Sequence, residues 1–242
     1  MKICVAQTKP IRGNIERNIE NHKKFIDQAI SYAADAVIFP ELSLTGYEPT
    51  LAKELATNQE DPRFADFQKI SNSHQLMIGV GVPTKNLAGI CISLVLFQPH
   101  KARLTYSKAY LHPDEEQFFV AQQSFPGLRI NNTHAAIAIC YELSVPAHAQ
   151  RAYKIGAEIY IASVAKTARG TEQASKRLAE IAHNYSMTVL LSNCVGQVDD
   201  FNSAGKSSIW NHKGSLVGQL DDTNEGILIF DTVSQLLHAK TL

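Results

Sequence analysis

The amino-acid sequence predicts an α/β fold in which mixed β-sheets are covered by helices. The first reason is an alternation along the chain, where short apolar segments rich in β-branched residues are followed by longer amphipathic segments. The second reason is proportion, since about a dozen predicted strands accompany four predicted helices. An amphipathic helix must bury its apolar side, and the sheets are the surfaces available to it. We therefore predict a layered domain with the helices outside the sheets.

The first half of the chain begins with the predicted strand "KICVAQ" (2–7) and a helix for which Asn14 is a suitable N-cap. That helix is indicated by isoleucines at helical spacing, which are Ile15, Ile19, Ile26 and Ile30. A second helix is predicted over 61–75. The other predicted strands of this half are "AVIFPE" (36–41), "LMIGVGVP" (76–83), "GICISLVLFQP" (89–99) and "ARLTYSK" (102–108).

The second half opens with "AAIAIC" (135–140), which lacks alternation and is therefore predicted to be a strand buried on both faces. Two helices are predicted, over 146–155 and 171–185. The remaining strands are "EIYIAS" (158–163), "TVLLSN" (188–193), "KSSIW" (206–210), "SLVGQL" (215–220) and "GILIF" (226–230).

Length and composition favour one globular domain over residues 1–242. The chain is 45% hydrophobic and 19% charged, and no Pro/Gly/Ser-rich linker divides it. Lysine plus arginine equals aspartate plus glutamate at 23 each, so no basic face for nucleic acid is expected. No apolar run is long enough for a signal peptide or a membrane span. We therefore expect a cytoplasmic protein with neither a nucleic-acid nor a membrane partner.

The cysteines do not form a metal or dithiol motif. Cys4, Cys91, Cys140 and Cys194 show no CxxC spacing, and the nine histidines are scattered. We expect no metal and no cofactor. A dinucleotide site is disfavoured because "GVGVPT" lacks the third glycine of its motif, and a serine hydrolase is disfavoured because no G-x-S-x-G elbow is present.

Three apolar segments end in a residue that can do chemistry. "AVIFPE" ends in Glu41, "ARLTYSK" in Lys108 and "AAIAIC" in Cys140. Strand ends are where α/β folds assemble functional sites. A thiol with an ordinary pKa of about 8.5 needs a base and a group that stabilises negative charge before it can attack at neutral pH. Each residue also has a structural interpretation: a turn cap, a solvated strand end and a core side chain, respectively.

The segments "FPELSLTGY", "YSKAYLHPDEEQFF" and "ICYELSVP", in that order, resemble the nitrilase superfamily, the carbon–nitrogen hydrolases. The opening "KICVAQTKPIRGNIERNIE" and the closing "SAGKSSIWNHKGSLVGQL" are also similar to that family, so the resemblance covers nearly the whole chain. It implies a four-layer αββα sandwich with two mixed sheets. It also implies a homodimer formed through the outer helices, or a higher homo-oligomer.

The resemblance implies a role for each site residue. Cys140 is the expected nucleophile, Glu41 the general base and Lys108 the stabiliser of the tetrahedral intermediate. Glu115 fits the position of a second glutamate, three residues before the aromatic pair, and Glu116 is its rival.

The residues that follow the cysteine are expected to contact the substrate or to support the site. The Tyr141 backbone N–H is expected to hold the oxyanion. Glu142 either lines the substrate pocket or forms local hydrogen bonds. The helix predicted from Pro146 is expected to favour a thiolate through its positive end.

The expected reaction is hydrolysis of a small amide through a cysteine thioester. Nitrile or N-carbamoyl hydrolysis at the same site is an alternative, as is a non-catalytic binding module on this fold. Ser144 stands where relatives with carboxylate-bearing substrates often have arginine, which disfavours such substrates, although Arg169 could supply a cation from another loop.

Overall fold

The computed structural model describes residues 1–122 and 127–242, and its framework is two mixed β-sheets. The first sheet has seven strands, in the spatial order β15-β14-β1-β2-β3-β4-β5. In chain order these are β1 (Lys2–Gln7), β2 (Ala36–Ile38), β3 (Met77–Lys85), β4 (Ile90–Phe97), β5 (Leu104–Ser107), β14 (Gly226–Asp231) and β15 (Leu237–Thr241).

The second sheet has six strands, in the spatial order β13-β12-β9-β8-β7-β6. They are β6 (Leu128–Ile130), β7 (Thr133–Ile139), β8 (Ile159–Val164), β9 (Thr188–Asn193), β12 (Ser208–Trp210) and β13 (Leu216–Gln219). A separate hairpin joins β10 (Val195–Val198) to β11 (Phe201–Ala204).

The α-helices of the described part are α1 (Ile15–Ser31), α2 (Ala52–Leu55), α3 (Ala65–His74), α4 (Pro146–Lys154) and α5 (Ala168–Tyr185). Short 3-10 helices span Pro49–Leu51, Pro62–Phe64 and Cys140–Ser144. As the sequence predicts, Asn14 caps α1 by accepting a hydrogen bond from the Arg17 N–H at 3.1 Å. Within residues 1–122 and 127–242, no helix is long and apolar enough to cross a membrane.

The apolar contacts arrange these elements in four layers. One core cluster lies between the sheets and joins residues of the first, such as Ile38, to residues of the second, such as Ile137. A second cluster joins the outer face of the first sheet to α1 and α3. A third joins the outer face of the second sheet to α4 and α5. The predicted αββα sandwich with two mixed sheets is therefore confirmed.

The sequence places several boundaries wrongly. The strand predicted over 36–41 ends at Ile38, because Pro40 has no N–H to continue the ladder and the chain turns there. The predicted helix over 171–185 begins earlier, at Ala168. The elements missed altogether are short or polar, namely α2, β6, β10, β11 and the largely exposed edge strand β15.

The directions of the strands bring several carboxyl ends to one region. Strands β2 and β3 are parallel, and two antiparallel steps through β4 give β5 the same direction. In the second sheet β7, β8 and β9 are mutually parallel. Hydrogen bonds from side chains of the second sheet join it to the first sheet in this region. Ser163 donates to the Phe39 carbonyl at 2.8 Å, and Ser192 donates to the Ala6 carbonyl at 2.7 Å.

Gly81 of β3 permits the close approach of the turn that follows β2. A Cβ atom on Gly81 would lie 2.3 Å from the Pro40 oxygen and 2.4 Å from the Leu42 nitrogen. We expect Gly81→Ala to lower the free energy of unfolding by about 1–3 kcal/mol, because backbone must move to admit the methyl group. For a chain of this size the melting temperature falls about 2–4 °C per kcal/mol, which calorimetry measures.

Gly170→Ala is the matched control for this substitution. Gly170 lies in α5, and the nearest atom to its added Cβ would be the Thr167 Oγ1 at 3.3 Å, which belongs to a side chain. Only this hydroxyl, which caps α5 by accepting the Gly170 N–H, has to shift by a few tenths of an ångström, and alanine is favoured over glycine in a helix. We therefore expect a much smaller change in melting temperature than for Gly81→Ala. Equal melting temperatures for Gly81→Ala and the wild-type protein would contradict the tight approach.

Candidate active site

Glu41 lies in a tight turn three residues after the end of β2. The turn is closed by hydrogen bonds from the Ser43 N–H to the Pro40 carbonyl at 3.1 Å and from the Thr45 N–H to the Leu42 carbonyl at 3.0 Å. Leu42 adopts a positive φ of 50°, which is uncommon for a branched residue. The turn buries the Glu41 carboxylate, which is 2% exposed, and directs it toward the second sheet.

A buried histidine supports this turn, although the sequence did not indicate it. His22 of α1 donates from Nδ1 to the Asn18 carbonyl at 2.7 Å, so Nε2 accepts from the Ser43 hydroxyl at 2.9 Å. The Ser43 oxygen in turn accepts the Gly81 N–H at 3.2 Å. Burial lowers the pKa of His22 to about 3, so the ring is neutral and suited to this pair of bonds.

Lys108 follows β5 and is completely buried between two carboxylates. Its Nζ atom lies 2.8 Å from the Glu41 Oε1 and 2.7 Å from the Glu115 Oε1. Glu115 is held by the Tyr47 hydroxyl at 3.0 Å and by the His112 N–H at 2.8 Å. The structure thus brings Lys108, Glu41 and Glu115 together.

Glu116, the rival of Glu115 in the sequence, is exposed. Glu115 is 2% exposed. Of the two neighbours, Glu115 is therefore the one that contacts Lys108.

Cys140 follows β7 and begins the 3-10 helix Cys140–Ser144 with a positive φ of 45°. It is partly exposed, whereas the other three cysteines are buried. Its Sγ lies 3.9 Å from the Ala165 carbonyl, and the Ala165 N–H donates to the Glu41 Oε2 at 3.2 Å. The backbone of one residue after β8 therefore contacts both the thiol and the carboxylate.

Burial and neighbouring charges shift the titration of these groups. Burial raises the pKa of the Glu41 carboxyl, although the Lys108 ammonium and a hydrogen bond with the Cys140 thiol oppose the rise. Burial by itself would lower the pKa of Lys108, but nearby negative charge, first that of Glu41 and also that of Glu115, outweighs it and raises the value. The ammonium therefore stays charged at neutral pH.

The surroundings of the Cys140 thiol favour its protonated form, whatever the helix that follows contributes. Burial, with a contribution from the Glu41 charge, raises the pKa of the Cys140 thiol to about 11. Helix α4 begins at Pro146, as the sequence predicts, and the 3-10 helix Cys140–Ser144 separates it from the sulfur along the chain. The resting thiol is protonated at neutral pH and needs a base to attack.

Tyr141 and Glu142 occupy different surroundings. Tyr141 is partly exposed, and its ring packs edge-on against His112 with centroids 5.3 Å apart. Glu142 is completely buried and accepts hydrogen bonds from the Tyr106 hydroxyl and from the N–H groups of Ala109 and Ile139, at 2.6–2.8 Å. These contacts favour the local role of Glu142 over a place on the wall of a substrate pocket.

Sequence reasoning missed three contributors to the site. Tyr47 contacts Glu115, Ala165 contacts both Glu41 and Cys140, and the positive charge of Lys166 lowers the pKa of the Cys140 thiol against the effect of burial. The residues that follow β8 could have been found by applying the strand-end argument to the segment 158–164 as well. Arg169, the cation considered from the sequence, is exposed at the start of α5.

The described residues contain no group of three or more His, Cys, Asp or Glu side chains placed to hold a metal ion. The groups that the structure brings together at the site are a thiol, two carboxylates, an ammonium and backbone N–H groups. That set can transfer a proton from sulfur and stabilise an anion beside it.

Two curated relatives align with nearly all of the chain. The "Hydrolase in agr operon" of Staphylococcus aureus is 24% identical over 232 residues, which are 92% of this chain and 88% of that protein. A "Glutamine-dependent NAD(+) synthetase" of Aquifex aeolicus is 24% identical over 237 residues, or 94% of this chain but only 41% of the synthetase.

Solved structures of an amidase from Nesterenkonia sp. AN1 share the fold. A cysteine-to-alanine variant in complex with butyramide has a TM-score of 0.86 at 20% identity, covering 95% of this chain and 89% of that one. Another variant carries acrylamide added to its active-site cysteine, with a TM-score of 0.87 at 20% identity, covering 97% and 94%.

The family model for "Carbon-nitrogen hydrolase" matches residues 2–239, which is nearly the whole chain. The chain therefore belongs to the carbon–nitrogen hydrolases, the nitrilase superfamily that its sequence motifs resemble.

Proposed function

We propose that this carbon–nitrogen hydrolase cleaves the C–N bond of a small amide through a thioester on Cys140. The observation that carries the proposal is convergence. Cys140, Glu41 and Lys108 follow three strands in two different sheets, and Ala165 and direct hydrogen bonds bring them into one cluster. A nucleophile, a base and a cation are the three parts that acyl transfer requires.

In the first half of the reaction Glu41 takes the thiol proton while the sulfur forms a bond to the amide carbonyl carbon. The elevated pKa of the Glu41 carboxyl makes it a stronger base than an exposed carboxylate, and the high pKa of the thiol makes such a base necessary. The oxyanion that forms is held by the Lys108 ammonium and the Tyr141 N–H. The C–N bond then breaks, and Glu41 returns its proton to the departing ammonia or amine.

In the second half Glu41 takes a proton from water, and the resulting hydroxide attacks the thioester carbonyl. The same cation and N–H hold the second oxyanion. The C–S bond breaks, Glu41 returns the proton to sulfur, and a carboxylic acid leaves. The enzyme regains its starting state without any other reactant.

Glu115 acts on this reaction through Lys108. Glu41 supplies one negative charge beside the buried ammonium and Glu115 supplies a second, and together they keep the ammonium protonated. Tyr47 and the His112 N–H hold the Glu115 carboxylate in place. The position of the ammonium is thereby fixed before a substrate arrives, which is the property that makes electrostatic stabilisation effective.

Small aliphatic amides are the substrates we propose first, because the Nesterenkonia amidase of the same fold was solved in complex with butyramide. The chain is also similar to a glutamine-dependent synthetase, and glutamine is an amide that carries charged groups. Amides with a charged group therefore stay among the proposed substrates. Nitrile and N-carbamoyl hydrolysis use the same nucleophile and remain alternatives. A non-catalytic binding module is disfavoured, because such a module has no need of a buried ammonium placed beside a thiol.

The proposal retains two expectations from the sequence, a homodimer formed through the outer helices and a cytoplasmic location. Tyr153 and Ile155 contribute exposed apolar surface at the outer helix α4, and the ring of Tyr153 packs against Tyr185 of α5.

The nucleophile is tested by Cys140→Ala with butyramide as the probe. We expect hydrolysis to fall by about 10⁴-fold or more, since no other group in the cluster can form the acyl intermediate. Intact-protein mass spectrometry of the wild-type enzyme quenched during turnover should show one butyryl adduct on the peptide containing Cys140. Wild-type turnover by Cys140→Ala would refute the mechanism. Loss of activity with a chelator and none with a thiol alkylator would refute it as well.

The role of Lys108 is tested by Lys108→Met, which keeps an unbranched side chain only one atom shorter and removes its charge. We expect kcat to fall by about 10²–10³-fold because one oxyanion donor is lost. Lys85→Met, at an exposed position at the end of β3, is the matched control and should leave kcat unchanged. A folded Lys108→Met enzyme with wild-type kcat would exclude this role.

The assignment of the second glutamate is tested by comparing Glu115→Gln with Glu116→Gln. Glu115→Gln removes the negative charge that pairs with Lys108, and its NH₂ group would face either the ammonium or the His112 N–H. We therefore expect kcat to fall about 10- to 100-fold. The exposed Glu116→Gln variant should match the wild-type protein in kcat and melting temperature. The reverse pattern would assign the role to Glu116.

A further inference from the structure

Glu142 is a completely buried carboxylate that takes no part in the mechanism proposed above. Its Oε1 accepts the Ala109 N–H at 2.7 Å. Its Oε2 accepts the Ile139 N–H at 2.8 Å and the Tyr106 hydroxyl at 2.6 Å. A buried acidic group with three short hydrogen bonds is strongly fixed in position.

The two backbone donors have a specific location in the chain. Ala109 directly follows Lys108, at the end of β5 in the first sheet, and Ile139 directly precedes Cys140, at the end of β7 in the second sheet. A single side chain therefore holds the backbone beside the ammonium and the backbone beside the thiol. Sequence proximity does not explain this arrangement, because 33 positions separate Ala109 from Glu142.

We propose that Glu142 is a positioning residue that sets the separation of Lys108 from Cys140 by bridging the Ala109 and Ile139 N–H groups. The expected effect on kcat rests on the proposed amide hydrolysis. The bridge itself is inferred from the hydrogen bonds alone. It acts at the point where the two sheets supply different parts of the site.

The carboxylate is itself held by a chain of hydrogen bonds that leads toward α4. Tyr106 donates to Glu142, and the Tyr106 oxygen lies 3.1 Å from the Nε2 of His148. The His148 Nδ1 lies 2.8 Å from the Tyr160 hydroxyl. Burial, with a contribution from Arg151, lowers the pKa of His148 to about 4, so its ring carries one proton at neutral pH.

One consistent assignment of hydrogens follows from that neutral ring. Tyr160 donates to Nδ1 of His148, Nε2–H donates to the Tyr106 oxygen, and Tyr106 donates to Glu142. Every step of the chain points toward the carboxylate. The Tyr106 hydroxyl and the Ile139 N–H therefore share the Oε2 atom of Glu142, while the Ala109 N–H holds Oε1, so both carboxylate oxygens are fixed.

The bridge requires a group that only accepts hydrogen bonds and that has the length of glutamate. All three partners of Glu142 are donors, so a glutamine would turn its NH₂ group toward at least one of them. An aspartate would keep the charge but is shorter by one methylene group, so it would not span the same distance. The two variants therefore separate a bridge from a simple effect of charge on Lys108.

The experiment measures two rates for Glu142→Gln and Glu142→Asp. The first is alkylation of Cys140 by iodoacetamide, followed by mass spectrometry with Cys140→Ala as the blank. The second is kcat for butyramide. We expect both rates to fall about 10- to 100-fold in both variants, because displacement of catalytic groups by about an ångström has effects of that size. KM should stay within about twofold, since the bridge does not touch the substrate.

Glu116→Gln is the matched glutamate control and should keep both wild-type rates. Wild-type rates in a folded Glu142→Gln, or full rescue of both rates by Glu142→Asp, would overturn the bridge. Glu142→Asp provides the test if Glu142→Gln does not fold. The alkylation rate can be measured without a substrate, so it tests the bridge even if the wild-type protein hydrolyses no amide. A wild-type protein without amidase activity would contradict the proposed function and not the bridge.

Discussion

The candidate site depends on one buried cation. The Lys108 ammonium is completely enclosed, and its desolvation would be prohibitive without the Glu41 and Glu115 carboxylates at 2.8 and 2.7 Å. Breaking a buried pair of this kind by removing one partner typically costs about 3–5 kcal/mol. The turn after β2 and the loop after β5 therefore have to meet in order for the protein to fold. The need to pair this buried charge is thus what assembles the charges of the site.

The backbone is strained on both sides of this ion cluster. Leu42, next to Glu41, and Cys140 both have positive φ values, a conformation that costs on the order of 1–3 kcal/mol for residues other than glycine. Such residues persist only where their surroundings leave no alternative. Around Leu42 the close approach of Gly81 fixes the turn, and beside Cys140 the Glu142 carboxylate holds the Ile139 N–H. One strained residue is thus Cys140 itself and the other directly follows Glu41, the two residues proposed to exchange a proton.

A site built between two sheets needs rigid joints between them. The Ser163 and Ser192 hydroxyls bond to backbone carbonyls of the first sheet, Ala165 bonds to Glu41, and Glu142 bonds to Ala109. Each joint starts at or near the carboxyl end of a strand of the second sheet. The core between the sheets supplies apolar burial, and these polar contacts join the two sheets at defined positions beside the site. Acyl transfer tolerates little displacement of its groups, so these joints matter for the proposed chemistry.

The sequence by itself determined the layered α/β architecture and the identity of Glu41, Lys108 and Cys140 as groups at strand ends, because hydrophobic periodicity and strand termination are local properties. The sequence did not predict short polar elements such as β15, since they form only by pairing with a neighbouring strand. The tertiary structure decided that Glu115 rather than Glu116 meets the ammonium. It also decided that Glu142 faces three donors and that the thiol pKa is raised instead of lowered. These outcomes depend on burial and on contacts between residues far apart in the chain, which no local pattern encodes.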